Sequence, residues 1–132
     1  MKKLLPIFIT ALLLVGCAVP AEQEISYRQI TMDEAVAVME EEGYIILDVR
    51  TAAEFDEKHI PGAINIPNET IGAEVIPELP DKDQLILVYC RSGNRSKQAS
   101  EKLVKLGYTN IVEFGGIIDW PGETETNEGG LL

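Results

Sequence analysis

Cys90, Arg91, Ser92, Gly93, Asn94 and Arg95 stand in one uninterrupted row. Each residue type in that row has a chemical use. A cysteine is a strong nucleophile as its thiolate. Two arginines supply positive charge for an anionic substrate. Gly93 is suited to a backbone conformation that other residues resist. Ser92 and Asn94 offer hydrogen bonds to a substrate, and both are also ordinary turn residues. Together these types and their spacing predict the active loop of an enzyme with Cys90 as nucleophile. Arg91, Ser92, Gly93, Asn94 and Arg95 are the substrate-binding candidates, with Arg95 placed ahead of Arg91 for an anion.

The neighbouring stretches must position that loop. Gln84 to Tyr89 is an apolar, β-branched run of strand length. After Ser96, the residues Ala99, Leu103 and Leu106 fall on one helical face. The cysteine therefore ends a buried strand, and a short loop leads into a helix. Loop N–H groups and the helix N-terminus would face the sulfur and favour thiolate over thiol.

Elements of the same kind recur along the chain. Ile25 to Ile30 reads as a first strand. Thr31 and Glu34 form a capping box, and so do Thr51 and Glu54. The first helix should bury Ala35, Val38 and Met39 and stop at Gly43. The second should run to about Lys58. Tyr44 to Val49 is a nearly continuous apolar run, as in strands covered on both faces. Pro61-Gly62 makes a turn, and Ala63 to Ile66 is a short strand. The Ile71, Val75 and Leu79 spacing predicts a helix over Glu69 to Glu78, weakened by Gly72 and Pro77. Pro80 to Asp83 is a loop, and Asn110 to Phe114 is the last strand. Gly115-Gly116 turns the chain into Ile117 to Trp120, and Glu123 to Gly130 is expected to fray. Strands alternating with helices imply an α/β unit with a parallel sheet covered on both sides. In such sheets, ligands gather beyond the carboxyl ends of the strands. Asp48-Val49-Arg50 and Cys90 share that rim. Asp48 and Arg50 are expected to brace one another, Glu54 or the neighbouring loop rather than act on substrate. His59, the sole histidine, is expected to be structural.

The 132 residues suit one domain. Lys2 and Lys3 precede an apolar run from Leu4 to Val15, which has the shape of a secretory signal. It ends in Leu14-Val15-Gly16-Cys17, which resembles the lipobox of bacterial lipoproteins. That resemblance implies cleavage after residue 16 and a lipid on Cys17. It also implies an exported domain anchored at the cell envelope. Residues 17–25 are then a tether, 26–121 the folded domain and 122–132 a polar tail. A Cys17–Cys90 disulfide is the alternative, since exported proteins permit one. Lys2 and Lys3 are two of the 11 basic residues. Without them nine remain against 22 acidic residues, a net charge of −13. Such a surface excludes nucleic acid as a partner. It also repels anions, so attraction for an anionic substrate must be local. With one histidine and no cysteine at zinc-ligand spacing, neither a metal nor a cofactor is predicted.

Several short motifs occur in order through the folded region. They are Asp48-Val49-Arg50, Glu54-Phe55, His59 through Pro67, Cys90 through Ser96, and Gly115-Gly116 followed by Trp120. Here the chain resembles the single-domain rhodaneses, a family of sulfurtransferases. Lys58 departs from the glycine often found before the histidine. The resemblance implies a rhodanese-like fold, with a central mostly parallel sheet of about five strands and helices on both faces. It implies that Cys90 takes a sulfur from a small anionic donor such as thiosulfate. The sulfur then passes to cyanide, a thiol or an acceptor protein. A phosphatase or arsenate reductase of the same fold is the competing enzyme. Its loop has five residues between cysteine and arginine, whereas four separate Cys90 from Arg95. A non-catalytic binding module of this fold usually lacks the cysteine.

Overall fold

The computed structural model describes residues 26–72 and 74–127. The expected leader over 1–16, Cys17 and the tether to residue 25 lie outside the described residues. Five strands form one parallel sheet. In chain order they are β1 (Arg28–Gln29), β2 (Tyr44–Asp48), β3 (Ile64–Asn65), β4 (Leu85–Cys90) and β5 (Ile111–Gly116). Their spatial order is β1-β5-β4-β2-β3, so β4, which carries Cys90, is central. The helices are α1 (Met32–Val38), α2 (Ala52–Glu57) and α3 (Asn94–Lys105).

Alternate residues of β4 enter two different cores. Ile86, Val88 and Cys90 pack with Ala99 and Leu103 of α3. Leu87 and Tyr89 pack on the other face with Ala35 of α1, Phe114 and Ile117. This period of two explains why the strand is apolar throughout and yet places Cys90 on the α3 side.

Both capping boxes form. Thr31 Oγ1 accepts the Glu34 N–H at 3.1 Å, and Glu34 Oε1 accepts the Thr31 N–H at 3.2 Å. The corresponding distances at Thr51 and Glu54 are 3.2 and 3.3 Å. α1 ends at Val38, well before Gly43. Glu40, Glu41 and Glu42 would place three negative charges at the negative end of a longer helix. The Tyr44 hydroxyl instead donates to the Met39 carbonyl at 2.8 Å.

The helix expected over Glu69 to Glu78 does not form. Only a 3-10 turn, Asn68–Thr70, precedes an irregular segment. Ile71, Ile76 and Leu79 are buried there, whereas Val75 is 80% exposed. Three apolar anchors therefore hold a segment of bends and turns among the described residues, and Gly72 and Pro77 oppose the helix. The tail also differs from expectation, because residues 123–127 are docked. Glu125 pairs antiparallel with His59 through two backbone bonds of 2.9 Å. The Asn127 N–H donates to the Asp56 carbonyl at 2.9 Å.

Candidate active site

Cys90 is the last residue of β4 and is 1% exposed. Arg91, Ser92 and Gly93 alone separate it from α3. Gly93 turns the chain with φ +113°, a left-handed conformation that favours glycine. That turn aims the Gly93 N–H at Cys90 Sγ, 2.9 Å away. Ser96, one turn into α3, places Oγ 3.3 Å from the same sulfur. Gly116 of β5 lies against the loop. A Cβ there would meet the Arg91 carbonyl oxygen at 2.0 Å, so only glycine fits.

The two arginines have different surroundings. Arg91 is exposed, and among the described residues its guanidinium has no ion-pair partner. It lines a cavity of about 450 Å³ with Arg50, Glu54, Lys58 and Ile118. Arg95 instead grips both oxygens of Glu54, with Nη1 at 2.6 Å and Nη2 at 3.0 Å. The expectation that Arg95 leads in holding an anion thus meets a guanidinium already engaged. The Arg95 hydrogen bond holds the Glu54 carboxyl down at about 2, against the opposing effect of partial burial. The same bond raises Arg95, to which the Cys90 charge also contributes. Ser92 and Asn94 are exposed, Ser92 in the loop and Asn94 as the first residue of α3.

Arg50, which lines the same cavity as Arg91, belongs to a buried brace. Arg50 donates to Asp48 from Nη2 at 2.7 Å and to the Lys58 carbonyl at 2.6 Å. Asp48 and Arg50 are both buried, and a buried pair needs such additional partners. His59 stacks on Phe55 with ring centroids 3.8 Å apart. Its Nδ1 donates to the Phe55 carbonyl at 2.8 Å, which fixes the ring. These residues hold α2, and with it Glu54, against the loop.

Ser96, Glu54 and Glu113 belong to the site, although the six-residue row does not include them. Glu113 is 2% exposed. A charged residue inside the apolar run Ile111-Val112-Glu113-Phe114 was the available signal. β5 pairs Val88 with Glu113 but Cys90 with Gly116, so β5 carries an extra residue. Glu113 precedes that bulge and pairs in register with Val88, so it faces α3 and meets Ser96, while the bulge re-aims Gly115 and Gly116 at the loop.

A family model described as a rhodanese-like domain matches residues 31–122. The chain belongs to the rhodanese-like domain family. The thiosulfate sulfurtransferase PspE of Escherichia coli (strain K12) is 38% identical over 73 residues, covering 55% of this chain and 70% of that protein. A sulfurtransferase of Allochromatium vinosum is 40% identical over 80 residues, covering 60% and 73%. Among solved structures, an Escherichia coli rhodanese with anions superposes with a TM-score of 0.58 at 34% identity. That match covers 63% of this chain and 98% of the other. This rhodanese-like sheet, with its cysteine at the end of the central strand, agrees with the fold that the sequence motifs imply.

Proposed function

We propose that this protein is a sulfurtransferase that carries a sulfane sulfur on Cys90. The observation that carries the reading is the Cys90 sulfur at the end of β4, held by the Gly93 N–H at 2.9 Å. Thiosulfate, or a persulfide, is the donor. The Cys90 thiolate attacks the outer sulfur of thiosulfate, the S–S bond of the donor breaks and sulfite leaves with the electron pair. Cys90 is left as a persulfide anion. A thiolate or cyanide then attacks the outer sulfur, and Cys90 departs as thiolate. Two easier steps replace one, the usual gain of covalent catalysis.

A three-residue loop between strand and helix encloses little space. It suits one added sulfur, with the donor oxygens left outside at the arginines. Arg91, at the cavity wall and without an ion-pair partner among the described residues, meets those oxygens first. Arg95 joins by sharing or leaving Glu54. Similarity to PspE, named as a thiosulfate sulfurtransferase, and to a rhodanese with anions supports this choice of chemistry. Serine at position 90 would remain protonated at neutral pH and cannot form a persulfide. Cys90→Ser should therefore abolish thiosulfate-to-cyanide transfer while circular dichroism stays unchanged. Substantial transfer by that variant would refute the reading.

We also propose that Cys17 becomes the lipidated N-terminus and holds the domain at the cell envelope, outside the cytoplasm. The motivation is Lys2-Lys3, the apolar run and Leu14-Val15-Gly16-Cys17. Lipoproteins carry more than one acyl chain, which suffices for stable attachment. Cys17→Ser should block processing or release the protein from membranes. An uncleaved N-terminus without lipid in the unsubstituted protein, with attachment unchanged in Cys17→Ser, would contradict this.

A further inference from the structure

Glu113 is buried beside Ser96, whose Oγ lies 3.3 Å from the Cys90 sulfur, and sulfur transfer as written has no step for it. Its Oε1 lies 2.7 Å from Ser96 Oγ and accepts the Gly115 N–H at 2.8 Å. Its Oε2 accepts Gln29 Nε2 at 3.1 Å. Ser96 has a single hydroxyl proton to give. Two carbonyls also compete for it, Gly93 at 2.9 Å and Gly115 at 3.4 Å. The carboxylate contact is the shortest of these and is charge-assisted, so it takes the proton. Ser96 then turns a lone pair toward Cys90 Sγ, 3.3 Å away. In that arrangement Ser96 accepts from a thiol and offers nothing to a thiolate.

We propose that Glu113, acting through Ser96, is a positioning residue that holds Cys90 toward its thiol form and opposes negative charge on the sulfur. This inference rests on the reading of Cys90 as the nucleophile. It sets Glu113 against the Gly93 N–H and the α3 N-terminus, both of which favour the anion. The opposition has a use. A thiolate loses intrinsic nucleophilicity as its parent thiol becomes more acidic, and the best attacking thiol ionises near the ambient pH. A loop that only stabilised the anion would make it abundant and sluggish.

Other charges face the pair from the elements around it. Tyr27 precedes β1, and its hydroxyl is raised by burial first, then by Glu101 and Glu113. Lys97 and Asp119 line a cavity of about 280 Å³ together with Glu113. Arg91 and Arg95 lie on the loop side. All of them are retained in the variants below, so the change isolates Glu113 and Ser96.

The test is the pH profile of Cys90 alkylation by iodoacetamide, in the full chain carrying Cys17→Ser so that Cys90 is the sole thiol. Glu113→Gln keeps the size and the acceptor oxygen but removes the charge. It should move the midpoint down by about one pH unit. The plateau rate should fall about threefold, because the thiolate is less basic. Ser96→Ala removes the acceptor that holds the thiol proton, and it should also lower the midpoint. A midpoint unmoved or raised in Glu113→Gln overturns the proposal. If that variant does not fold, Ser96→Ala decides by the same sign, since a serine that donated to the thiolate would give a higher midpoint on removal. Thiosulfate loading of the unsubstituted protein is measured in parallel. Its failure would remove the sulfurtransferase reading and leave the alkylation result standing.

Discussion

Arg95 and Glu54 form a bidentate pair with side chains 27% and 29% exposed. Removing one partner therefore does more than delete a contact. Arg91→Ala should lower kcat/KM for thiosulfate about 10-fold, the loss of one charge-assisted contact to the donor. Arg95→Ala should cost more, because it also leaves the Glu54 carboxylate unpaired at the rim to repel an anion. Adding Glu54→Gln to Arg95→Ala should restore part of that loss. Steady-state kinetics on these three variants and the unsubstituted protein check this order, and an equal or smaller loss in Arg95→Ala would contradict it. The pair also links stability to pH. A carboxyl held at about 2 contributes stability that is full above its ordinary value and is lost as pH falls toward 2. Partial exposure keeps the contribution to about 1 kcal/mol. Urea unfolding of wild type and Glu54→Gln should differ by that amount at pH 6, and the difference should close between about pH 4.5 and 2. Arg95 was legible in the sequence as a cation near Cys90. Its engagement with Glu54 was not, because Glu54 already had a complete local role in a capping box, and the two lie 41 positions apart.

At the scale of elements, β4, the loop and α3 act as one unit, and β5 closes it from the side. Gly116→Ala tests that closure. A Cβ would stand 2.0 Å from the Arg91 carbonyl oxygen and 2.5 Å from the Ser92 N, both of them backbone atoms. Relief requires the loop or β5 to shift, at a cost of about 1–3 kcal/mol. Sulfur transfer should fall with it, since the Gly93 N–H would no longer meet the sulfur at the same point. Retained stability together with retained activity would contradict the close approach. These elements were readable where one local rule decided them. Thr31 and Thr51 announced both helix starts, and the apolar runs announced β2 and β4. The segment from Glu69 to Glu78 misled because Ile71, Val75 and Leu79 keep a helical spacing. The contacts that bury Ile71, Ile76 and Leu79 come instead from the α3 side of the sheet. The bulge in β5 was invisible for a similar reason, because register belongs to a pair of strands and not to one of them.

The whole molecule adds the segment over residues 123–127, which runs back across His59 and ties down α2. Its polar composition suggested fraying, and composition does not reveal backbone pairing with a distant partner. Truncation after Gly122 would delete two backbone bonds between His59 and Glu125 and one from Asn127 to Asp56. Each such bond contributes on the order of 1 kcal/mol net, and the docked segment keeps a surplus over its ordering, so truncation should lower the urea midpoint. An unchanged midpoint would mean that the segment does not hold α2. At the largest scale, a net charge of −11 over the 132 residues repels anions. Thiosulfate use should therefore improve with added salt, which screens that field, until the local arginine contacts are screened as well. All of this presupposes that Cys90 carries the sulfur. Mass spectrometry of the protein after thiosulfate treatment tests that most directly. The mass should rise by one sulfur atom, located on the peptide that contains Cys90. The increment should disappear on adding cyanide and should be absent from Cys90→Ser. No increment in the unsubstituted protein, or one that persists in Cys90→Ser, would contradict the account.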